Sequence, residues 1–331
     1  MTDAAHTPRD APHTMQCMEV WGGFGVSDNG VVMPGLDVWV FSLPYQGSEA
    51  GGDVHYVSSC GTGRISRLLV ADVSGHGTSV ATIARDLRDL MRRYVNYVDQ
   101  RAFVERLNGS FVELTRSGLF ATAAVATFFA PTQTLTVTNA GHPRPLLYSA
   151  ARGTWRLMSE EAGADAQGLA NLPLGMFEET VYPNVMLQAG KGDVVIIYSD
   201  SLIEAPLEQL PGGKSGRLLS VDGLLDVARG VPIEPAQTLA TRLYSAVLAR
   251  CAPGTRTLGD DVTILVLRPN GRGEPAPLLE RVRAGARFIG MAARSLVGGP
   301  AAPWPEWSRE NIAGAFARRF SGTYGRGAER I

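Results

Sequence analysis

The sequence predicts an α+β fold in which layers of strands and helices pack on one another. Strand-like segments occur in runs and amphipathic helical segments occur in pairs, whereas a doubly wound parallel sheet would require strict alternation. The chain has 331 residues, of which 45% are hydrophobic and 19% charged. That composition is typical of a folded protein with a sizeable core and argues against a mostly disordered chain.

The N-terminal part of the folded region is predicted to consist of strands. Residues 1–16 are polar and contain prolines, so we expect a flexible tail there. Residues 36–41 and 54–58 have strand character. The segment 67–73 contains a continuous apolar run, which is typical of a central strand buried on both faces.

The apolar period changes at Ser74-Gly75-His76-Gly77. From residue 80 to 98 the apolar side chains fall on one helical stripe opposite a charged face, and 103–114 repeats the helical spacing. The later pattern predicts a hairpin, a surface loop, two further helices and a closing strand. These elements fall at 120–129 and 134–138 (hairpin strands), 144–148, 185–187 and 193–198 (strands), 150–170 (loop), 219–229 and 235–250 (helices) and 262–267 (closing strand).

Charge and cysteine content exclude several classes of protein. A net charge of −1 gives no overall basic field for nucleic acid. Cys17, Cys60 and Cys251 lie far apart, so neither a disulfide framework nor a structural zinc site is expected. We find no targeting sequence and no apolar run of the roughly 20 residues that a membrane helix needs. These features favour a cytoplasmic protein.

Residues 17–270 are predicted to form one domain, followed by an arginine-rich extension at 271–331. Within 272–331 there are ten Arg, five Glu and no Asp or Lys, a net charge of +5 that contrasts with −6 for the preceding residues. A basic, partly helical segment of this kind can lie on an anionic membrane surface. The favoured alternative is that its apolar face packs on the preceding domain while the arginines face solvent.

Acidic residues stand at the ends or edges of several predicted strands. They are Asp53, Asp72, Asp200 and the pair Asp260-Asp261. Carboxylates crowded together repel one another, and divalent Mg²⁺ or Mn²⁺ is one way to hold them in place. Two such ions about 3.5–4 Å apart activate a water and clamp a phosphoryl group. The alternative is that each Asp is an ordinary turn or capping residue, since spacing alone does not show convergence.

Glycines and histidines near these acidic residues are open to two interpretations. Gly75 and Gly77 precede a helix, whose N-terminus suits an anion, but a glycine-rich turn is equally consistent with the pattern. His76 is a candidate general acid or ligand, although a turn role is favoured. His142 follows a strand and is interpreted mainly as a structural histidine. The scattered histidines support no Ser-His-Asp arrangement.

Several stretches, taken in order, resemble one enzyme family. The sequence resembles the PPM (PP2C-like) metal-dependent serine/threonine phosphatases over about residues 36–268, and especially the bacterial branch typified by SpoIIE and RsbU. The stretches that carry the resemblance are GGD at 51–53, ADVSGHG at 71–77, FATAAVATFFAPTQTLTVTNAGHPRPLL at 120–147, LPLG at 172–175, VVIIYSDSLIEA at 194–205 and DDVTILVL at 260–267.

The resemblance implies a four-layer αββα sandwich of two antiparallel sheets flanked by helices. It implies two Mn²⁺ or Mg²⁺ ions and hydrolysis by a metal-bound water, without a phosphoenzyme. Asp261 stands where relatives often have Asn and is a weaker ligand candidate, and Glu204 matches an acidic position that can serve an extra ion. The ligands carried over from the family are Asp53, Asp72, the backbone carbonyl of Val73, Asp200 and Asp260.

The sequence departs from the family pattern at three places. Ser201 replaces a glycine, and a positive φ there would cost serine roughly 1 kcal/mol or more. Val54-His55-Tyr56 follows GGD where an aromatic-Asp pair is usual. Ser74 occupies the place of a histidine in eukaryotic relatives, so no histidine general acid can be carried over.

The resemblance therefore predicts a phosphatase that acts on a phosphorylated regulatory protein, such as a STAS-type anti-sigma antagonist. The alternative is a PP2C fold with weak or no activity that serves as a regulatory scaffold, which the departures at Ser201 and after GGD favour. The intact acidic residues argue against the scaffold. The sequence does not specify the oligomeric state.

Overall fold

Two sheets lie face to face, and a pair of helices covers the outer face of each. In the residues that the structure describes, each sheet has seven strands. The structure is a computed structural model that describes residues 12–17, 19–48, 51–60, 63–74, 78–114, 118–159, 170–208, 216–271 and 329–331.

The first sheet, sheet A, has the chain's last long strand, Val262–Pro269, at its centre. Neighbouring strands in its described part are antiparallel except for the outermost pair, His13–Thr14 and Ser27–Met33, which is parallel. In spatial order its strands are β1 (His13–Thr14), β3 (Ser27–Met33), β4 (Leu36–Leu43), β13 (Val262–Pro269), β12 (Val194–Tyr198), β9 (Leu146–Ser149) and β10 (Thr154–Leu157).

The second sheet, sheet B, is built around the apolar strand predicted at 67–73. Neighbouring strands in its described part are antiparallel except for the edge pair Asn184–Gln188 and Glu329–Arg330, which is parallel. In spatial order its strands are β14 (Glu329–Arg330), β11 (Asn184–Gln188), β8 (Thr134–Ala140), β7 (Ala121–Phe129), β6 (Ile65–Val73), β5 (Asp53–Ser59) and β2 (Val20–Gly23).

The helices pack in pairs on opposite outer faces. Helices α1 (Thr78–Arg93) and α2 (Gln100–Leu114) cover sheet B, and α3 (Ser220–Arg229) and α4 (Leu239–Leu248) cover sheet A. A third apolar cluster fills the space between the sheets. The predicted α+β fold, a four-layer sandwich with antiparallel sheets, is confirmed, and within the described part of the two sheets the parallel strand pairs lie at the outer edges.

Strand β6 shows how the sequence pattern produces the layers. It lies between β5 and β7, as its continuous apolar run predicts. Leu68 and Val70 face the core between the sheets, whereas Leu69 and Ala71 face α1 and α2. Because successive side chains of a strand point to opposite faces, both faces of β6 must be apolar.

Some elements were not predicted from the sequence. Strands β2 and β3 contain Gly, Asp or Asn, which are poor strand formers, so their pairing partners decide their conformation. A Cβ on Gly30 would lie 2.5 Å from the Trp39 ring, so only glycine fits there.

Strand β10 forms inside the predicted 150–170 loop. The first predicted helix ends at Arg93, five residues early.

The described residues nearest each end of the chain enter the sheets, and on the N-terminal side these belong to the segment 1–16 predicted as a flexible tail, of which 1–11 lie outside the described residues. His13–Thr14 pairs with β3, and Glu329–Arg330 pairs with β11. Ile331 is 4% exposed and belongs to the core between the sheets. The partly helical character predicted for the arginine-rich extension, and the choice between packing on the preceding domain and lying on a membrane surface, concern 272–328, which lie outside the described residues. In the described part of the chain, no helix combines the length and apolar character needed to cross a bilayer.

Replacing Ile331 by alanine should destabilise the sandwich measurably. The substitution leaves a cavity in the core between the sheets, which typically costs about 2–5 kcal/mol, and an edge position belongs at the lower end of that range. Arg330→Ala is the matched control, because the Arg330 side chain is exposed. Urea unfolding of both variants should show a lower midpoint for Ile331→Ala alone. Equal midpoints would contradict the assignment of Ile331 to the core.

Candidate metal centre between the two sheets

A row of polar side chains crosses one end of sheet B. Asp53 on β5 is directly opposite Asp72 on β6, and Asp72 is directly opposite Thr122 on β7. Side chains at directly opposite positions share a face, with Cβ atoms about 4.5–5.5 Å apart. The antiparallel register therefore brings together two acidic residues that are 19 positions apart in the sequence.

Sheet A brings further carboxylates to the same end. Asp200 follows β12 and begins a single 3-10 turn, while Asp260 and Asp261 precede β13. Because β12 and β13 are antiparallel neighbours, the end of one lies beside the start of the other. The Ser199 N–H donates to the Thr263 carbonyl at 2.9 Å, and the Thr263 N–H donates to Ser199 Oγ at 2.8 Å, which fixes this junction.

Electrostatic interactions among the carboxylates indicate that the two sheets share one acidic site. Burial and then, in that order, the charges of Asp200, Asp260, Asp261 and Glu204 together raise the pKa of Asp72 to about 6. The pKa of Asp200 is raised by burial and then by Asp260. Burial, Asp200 and Asp260 also raise the pKa of the exposed Glu204. Asp72 of sheet B and the acidic residues of sheet A are therefore close enough to interact electrostatically.

Asp53 is the most deeply placed of these carboxylates. It is 4% exposed, and burial raises its pKa well above the usual value, with Asp72 adding to the increase. The hydroxyls of Ser199 and Thr263 in the opposite sheet lower the pKa of Asp53. Its Oδ2 atom is buried and makes no hydrogen bond with the described residues. A buried carboxylate oxygen without a partner is costly, and a bound cation would stabilise it.

The GGD turn lets the main chain approach the acidic residues closely. A Cβ on Gly52 would lie 3.3 Å from Asp72 Oδ1, 3.4 Å from the Val73 carbonyl oxygen and 3.5 Å from Asp261 Oδ2. Three oxygens from two segments, the end of β6 and the residue that precedes β13, thus lie around one small volume. A side chain larger than hydrogen at residue 52 would crowd that volume.

Asp261 is already engaged by the main chain. Its Oδ1 accepts the Tyr45 N–H at 2.6 Å, and its Oδ2 accepts the N–H of Gly52 and, at 3.4 Å, that of Asp53. Asp261 therefore anchors the GGD turn to sheet A. Asp260 is exposed, and its Oδ1 accepts the Asp261 N–H at 2.8 Å. This difference favours Asp260 over Asp261 as a ligand.

The weaker candidates and the unusual Ser201 have distinct places. Ser74 Oγ accepts the Phe120 N–H at 2.9 Å, and the Ser74 N–H donates to the Phe120 carbonyl, so Ser74 joins the end of β6 to the start of β7. His76 lies at 75–77, outside the described residues. Ser201 is in the 3-10 turn and has no positive φ, so the expected backbone strain does not arise.

Sequence reasoning missed the side chains that support the acidic residues. Ser199, Thr263 and Thr122 are polar residues within otherwise apolar strand segments, and that contrast was the available signal. His142, interpreted mainly as structural, is 5% exposed, and its Nδ1 lies 3.2 Å from Thr122 Oγ1. It therefore lies next to the polar row, in a position that the sequence did not specify.

The donor set fits a hard divalent cation. Carboxylate and carbonyl oxygens are the ligands that Mg²⁺ and Mn²⁺ prefer. No three His, Cys, Asp or Glu side chains among the described residues already stand in an arrangement that could hold an ion. The carboxylates lie near one another but do not form a complete set of protein ligands. Mg²⁺ commonly binds through one or two carboxylates and keeps several waters, so a complete set of protein ligands is not required.

Asp72→Asn should stabilise the protein in the absence of divalent cations, and more at pH 7 than at pH 5. The folded-state pKa of Asp72, about 6, lies above the ordinary aspartate value of 3.8. Its ionised form therefore opposes folding as pH rises through 6. Buried His55 and His142, with pKa values of about 4, have the opposite pH effect but are common to both proteins. The difference in free energy of unfolding isolates Asp72.

The measurement is urea unfolding in EDTA at the two pH values. Asp226→Asn is the control, because Asp226 is exposed on α3 and pairs only with Arg229 among the described side chains. A destabilised Asp72→Asn protein at pH 7 would show that the carboxylate is not under repulsion.

Comparison with known proteins agrees with this architecture. The family model described as Stage II sporulation protein E (SpoIIE) matches residues 63–270, more than half of the chain. Among solved structures, the RsbU and RsbW domains of Rv1364c from Mycobacterium tuberculosis align with a TM-score of 0.57 and 23% identity, covering 80% of this chain and 70% of that chain.

Two further solved structures share the fold. The PP2C phosphatase domain with a regulatory fragment of SpoIIE from Bacillus subtilis aligns with a TM-score of 0.54 and 16% identity, over 77% of this chain and 64% of that one. The SiaA-PP2C domain of Pseudomonas aeruginosa aligns with a TM-score of 0.54 and 15% identity, over 70% of this chain and 85% of that one. With the family match and the fold together, the chain belongs to the SpoIIE family of PP2C-type serine/threonine protein phosphatases.

Proposed function

We propose that this phosphatase removes phosphate from serine or threonine of a regulatory protein with two Mn²⁺ or Mg²⁺ ions at the end of the sandwich. The ions would be held by Asp53, Asp72, the Val73 carbonyl, Asp200 and Asp260. The observation that carries the proposal is the gathering of carboxylates from both sheets, one of which has a buried oxygen without a hydrogen bond.

In this proposal the acidic residues of the chain have different roles. Asp53 and Asp72 provide negative charge at the buried side of the site, and Asp200 and Asp260 provide it on the opposite sheet. When bound, two divalent cations activate a water molecule and neutralise charge on the phosphoryl group. Asp261 holds the GGD turn in place through main-chain N–H groups, so that Asp53 stays oriented.

The exposure of the site fits a phosphate carried by a protein. Asp260 and Glu204 are exposed at its outer side, whereas Asp53 is buried at its inner side. A phosphorylated side chain could therefore approach from solvent. By the resemblance noted above, we propose a STAS-type regulator as the substrate and residues 17–270 as the catalytic domain.

The departures that favour an inactive scaffold have structural explanations. Ser201 adopts an ordinary backbone conformation. In the segment after GGD, His55 is buried and Tyr56 donates its hydroxyl to the Ala84 carbonyl at 2.7 Å, which ties β5 to α1. Residues 54–56 thus support packing, and the acidic residues of the site are retained.

Hydrolysis of p-nitrophenyl phosphate should require Mn²⁺ or Mg²⁺ and stop with EDTA. Asp72→Asn should lower turnover by at least about 100-fold, because losing even an outer-shell partner of a metal site typically costs about 10–100-fold. Asp226→Asn should retain wild-type turnover. Cation-independent activity, or an active Asp72→Asn enzyme, would contradict the proposed centre. Release of phosphate from a phosphoserine-containing STAS protein would then test the substrate class.

Ser201→Gly should not raise phosphatase activity. Since Ser201 already has a negative φ, glycine relieves no strain. It increases the entropy of the unfolded chain, by roughly 0.5–1 kcal/mol, and removes the buried Ser201 hydroxyl that lies 3.4 Å from Ser199 Oγ. Steady-state kinetics and thermal unfolding of the variant should show unchanged turnover and slightly lower stability. A marked gain of activity would mean that Ser201 restrains the enzyme, as the scaffold interpretation requires.

A further inference from the structure

The chain crosses from sheet B to sheet A beside the acidic site. Strand β8 ends at Ala140, and β9 begins at Leu146 in the other sheet, so residues 141–145 form the crossover. Gly141 has φ +72°, and a Cβ there would lie 2.9 Å from Pro173, so the crossover turn requires glycine. The crossover is thus a tightly packed segment next to the catalytic end of the sandwich.

The main chain of His142 is fixed by the side chain of Asn139. Asn139 Oδ1 accepts the His142 N–H at 2.7 Å, and Asn139 Nδ2 donates to the His142 carbonyl at 2.6 Å. Because both main-chain groups of His142 are hydrogen-bonded, the backbone position from which the imidazole extends is fixed. It is buried, and its Nδ1 lies 3.2 Å from Thr122 Oγ1.

The opposite side of the imidazole faces sheet A. The main chain of Tyr198 stabilises the protonated ring, but burial dominates and lowers the pKa of His142 to about 4. Among the described residues, Nε2 makes no hydrogen bond of normal geometry. The Tyr198 hydroxyl donates to the Arg144 carbonyl at 2.8 Å, which joins the crossover to β12 a second time.

The two strands that His142 approaches are those that carry opposing carboxylates. Thr122 is directly opposite Asp72 on sheet B, and Tyr198 stands two residues before Asp200 on sheet A. Asp72 and Asp200 repel each other. The buried imidazole lies beside Thr122 and the main chain of Tyr198, so it is placed to contribute to their separation together with the apolar core between the sheets.

We propose that His142 is a positioning residue that sets the separation of Asp72 and Asp200. Its Nδ1 lies within hydrogen-bond distance of the Thr122 hydroxyl, and the ring lies near the main chain of Tyr198 at the end of β12. The proposal rests on the metal-dependent function above, because the separation matters only if one centre uses both carboxylates. His142 itself neither binds the cation nor touches the substrate in this account.

His55 provides a matched control. It is also buried, at 1% exposure, and burial also lowers its pKa to about 4. It lies in sheet B against the Trp21 ring, and its Nδ1 makes no hydrogen bond with the described residues. The two histidines thus share burial and charge state, but only His142 is placed between the strands of Asp72 and Asp200.

The experiment measures Mn²⁺ affinity by calorimetry, alongside kcat and the Mn²⁺ concentration for half-maximal activity. His142→Phe and Thr122→Val should each weaken Mn²⁺ binding by roughly 10–100-fold, the usual effect of losing an outer-shell partner. His142→Asn, which keeps an acceptor near the Nδ1 position, should recover most of the affinity. His55→Phe should bind Mn²⁺ as the wild type does.

The double variant tests the coupling directly. If His142 acts through Thr122, the pair His142→Phe and Thr122→Val should lose no more affinity than either single variant. Thr122→Val keeps the side-chain shape, so the test remains available if His142→Phe fails to fold in an unfolding assay with EDTA. Fully additive losses, or wild-type affinity in both single variants, would overturn the proposal.

Failure of the positioning proposal can be distinguished from failure of the proposed function. If the wild-type protein neither binds Mn²⁺ nor hydrolyses p-nitrophenyl phosphate, the proposed function fails and this inference fails with it. If the wild type does both and the His142 and Thr122 variants bind Mn²⁺ equally well, only the positioning role is overturned.

Discussion

The structure depends on holding like charges together at one end of two packed sheets. Asp53 and Asp72 come from sheet B, and Asp200 and Asp260 come from sheet A. Burial, followed by the charges of neighbouring carboxylates, raises the pKa of both Asp72 and Asp200. The apolar cluster between the sheets opposes the repulsion among these charges, because separating the carboxylates would expose its side chains to water. The same packing that stabilises the fold therefore also maintains an unfavourable charge arrangement, which a divalent cation would relieve.

The neighbours of each carboxylate decide what it can do. Asp261 accepts main-chain N–H groups from the GGD turn and so is committed to structure, whereas the adjacent Asp260 is exposed. Asp53 is buried beside the hydroxyls of Ser199 and Thr263, yet one of its oxygens has no hydrogen bond with the described residues. Identical side chains thus become an anchor, a solvent-facing ligand candidate and a buried ligand candidate.

The sequence predicted the layers well because apolar periodicity records which faces are buried. Strand β6 and the amphipathic helix after it show this clearly. Strands β2 and β3 were missed because their glycines and polar residues are accommodated by tertiary pairing. Convergence of the acidic residues followed only from the family resemblance, since strand register is a long-range property. The concern about Ser201 was wrong because backbone φ at that turn cannot be inferred from residue type, and the roles of Ser199, Thr263 and His142 depend on contacts across the sheets.

The central claim is that the carboxylates of both sheets form one divalent-cation centre. The most direct test is a crystal structure of the full chain with Mn²⁺, using anomalous scattering to locate the ions. We predict two Mn²⁺ peaks bounded by Asp53, Asp72, Asp200 and Asp260, with the Val73 carbonyl among the ligands. Peaks elsewhere, or none near these residues at saturating Mn²⁺, would contradict the account.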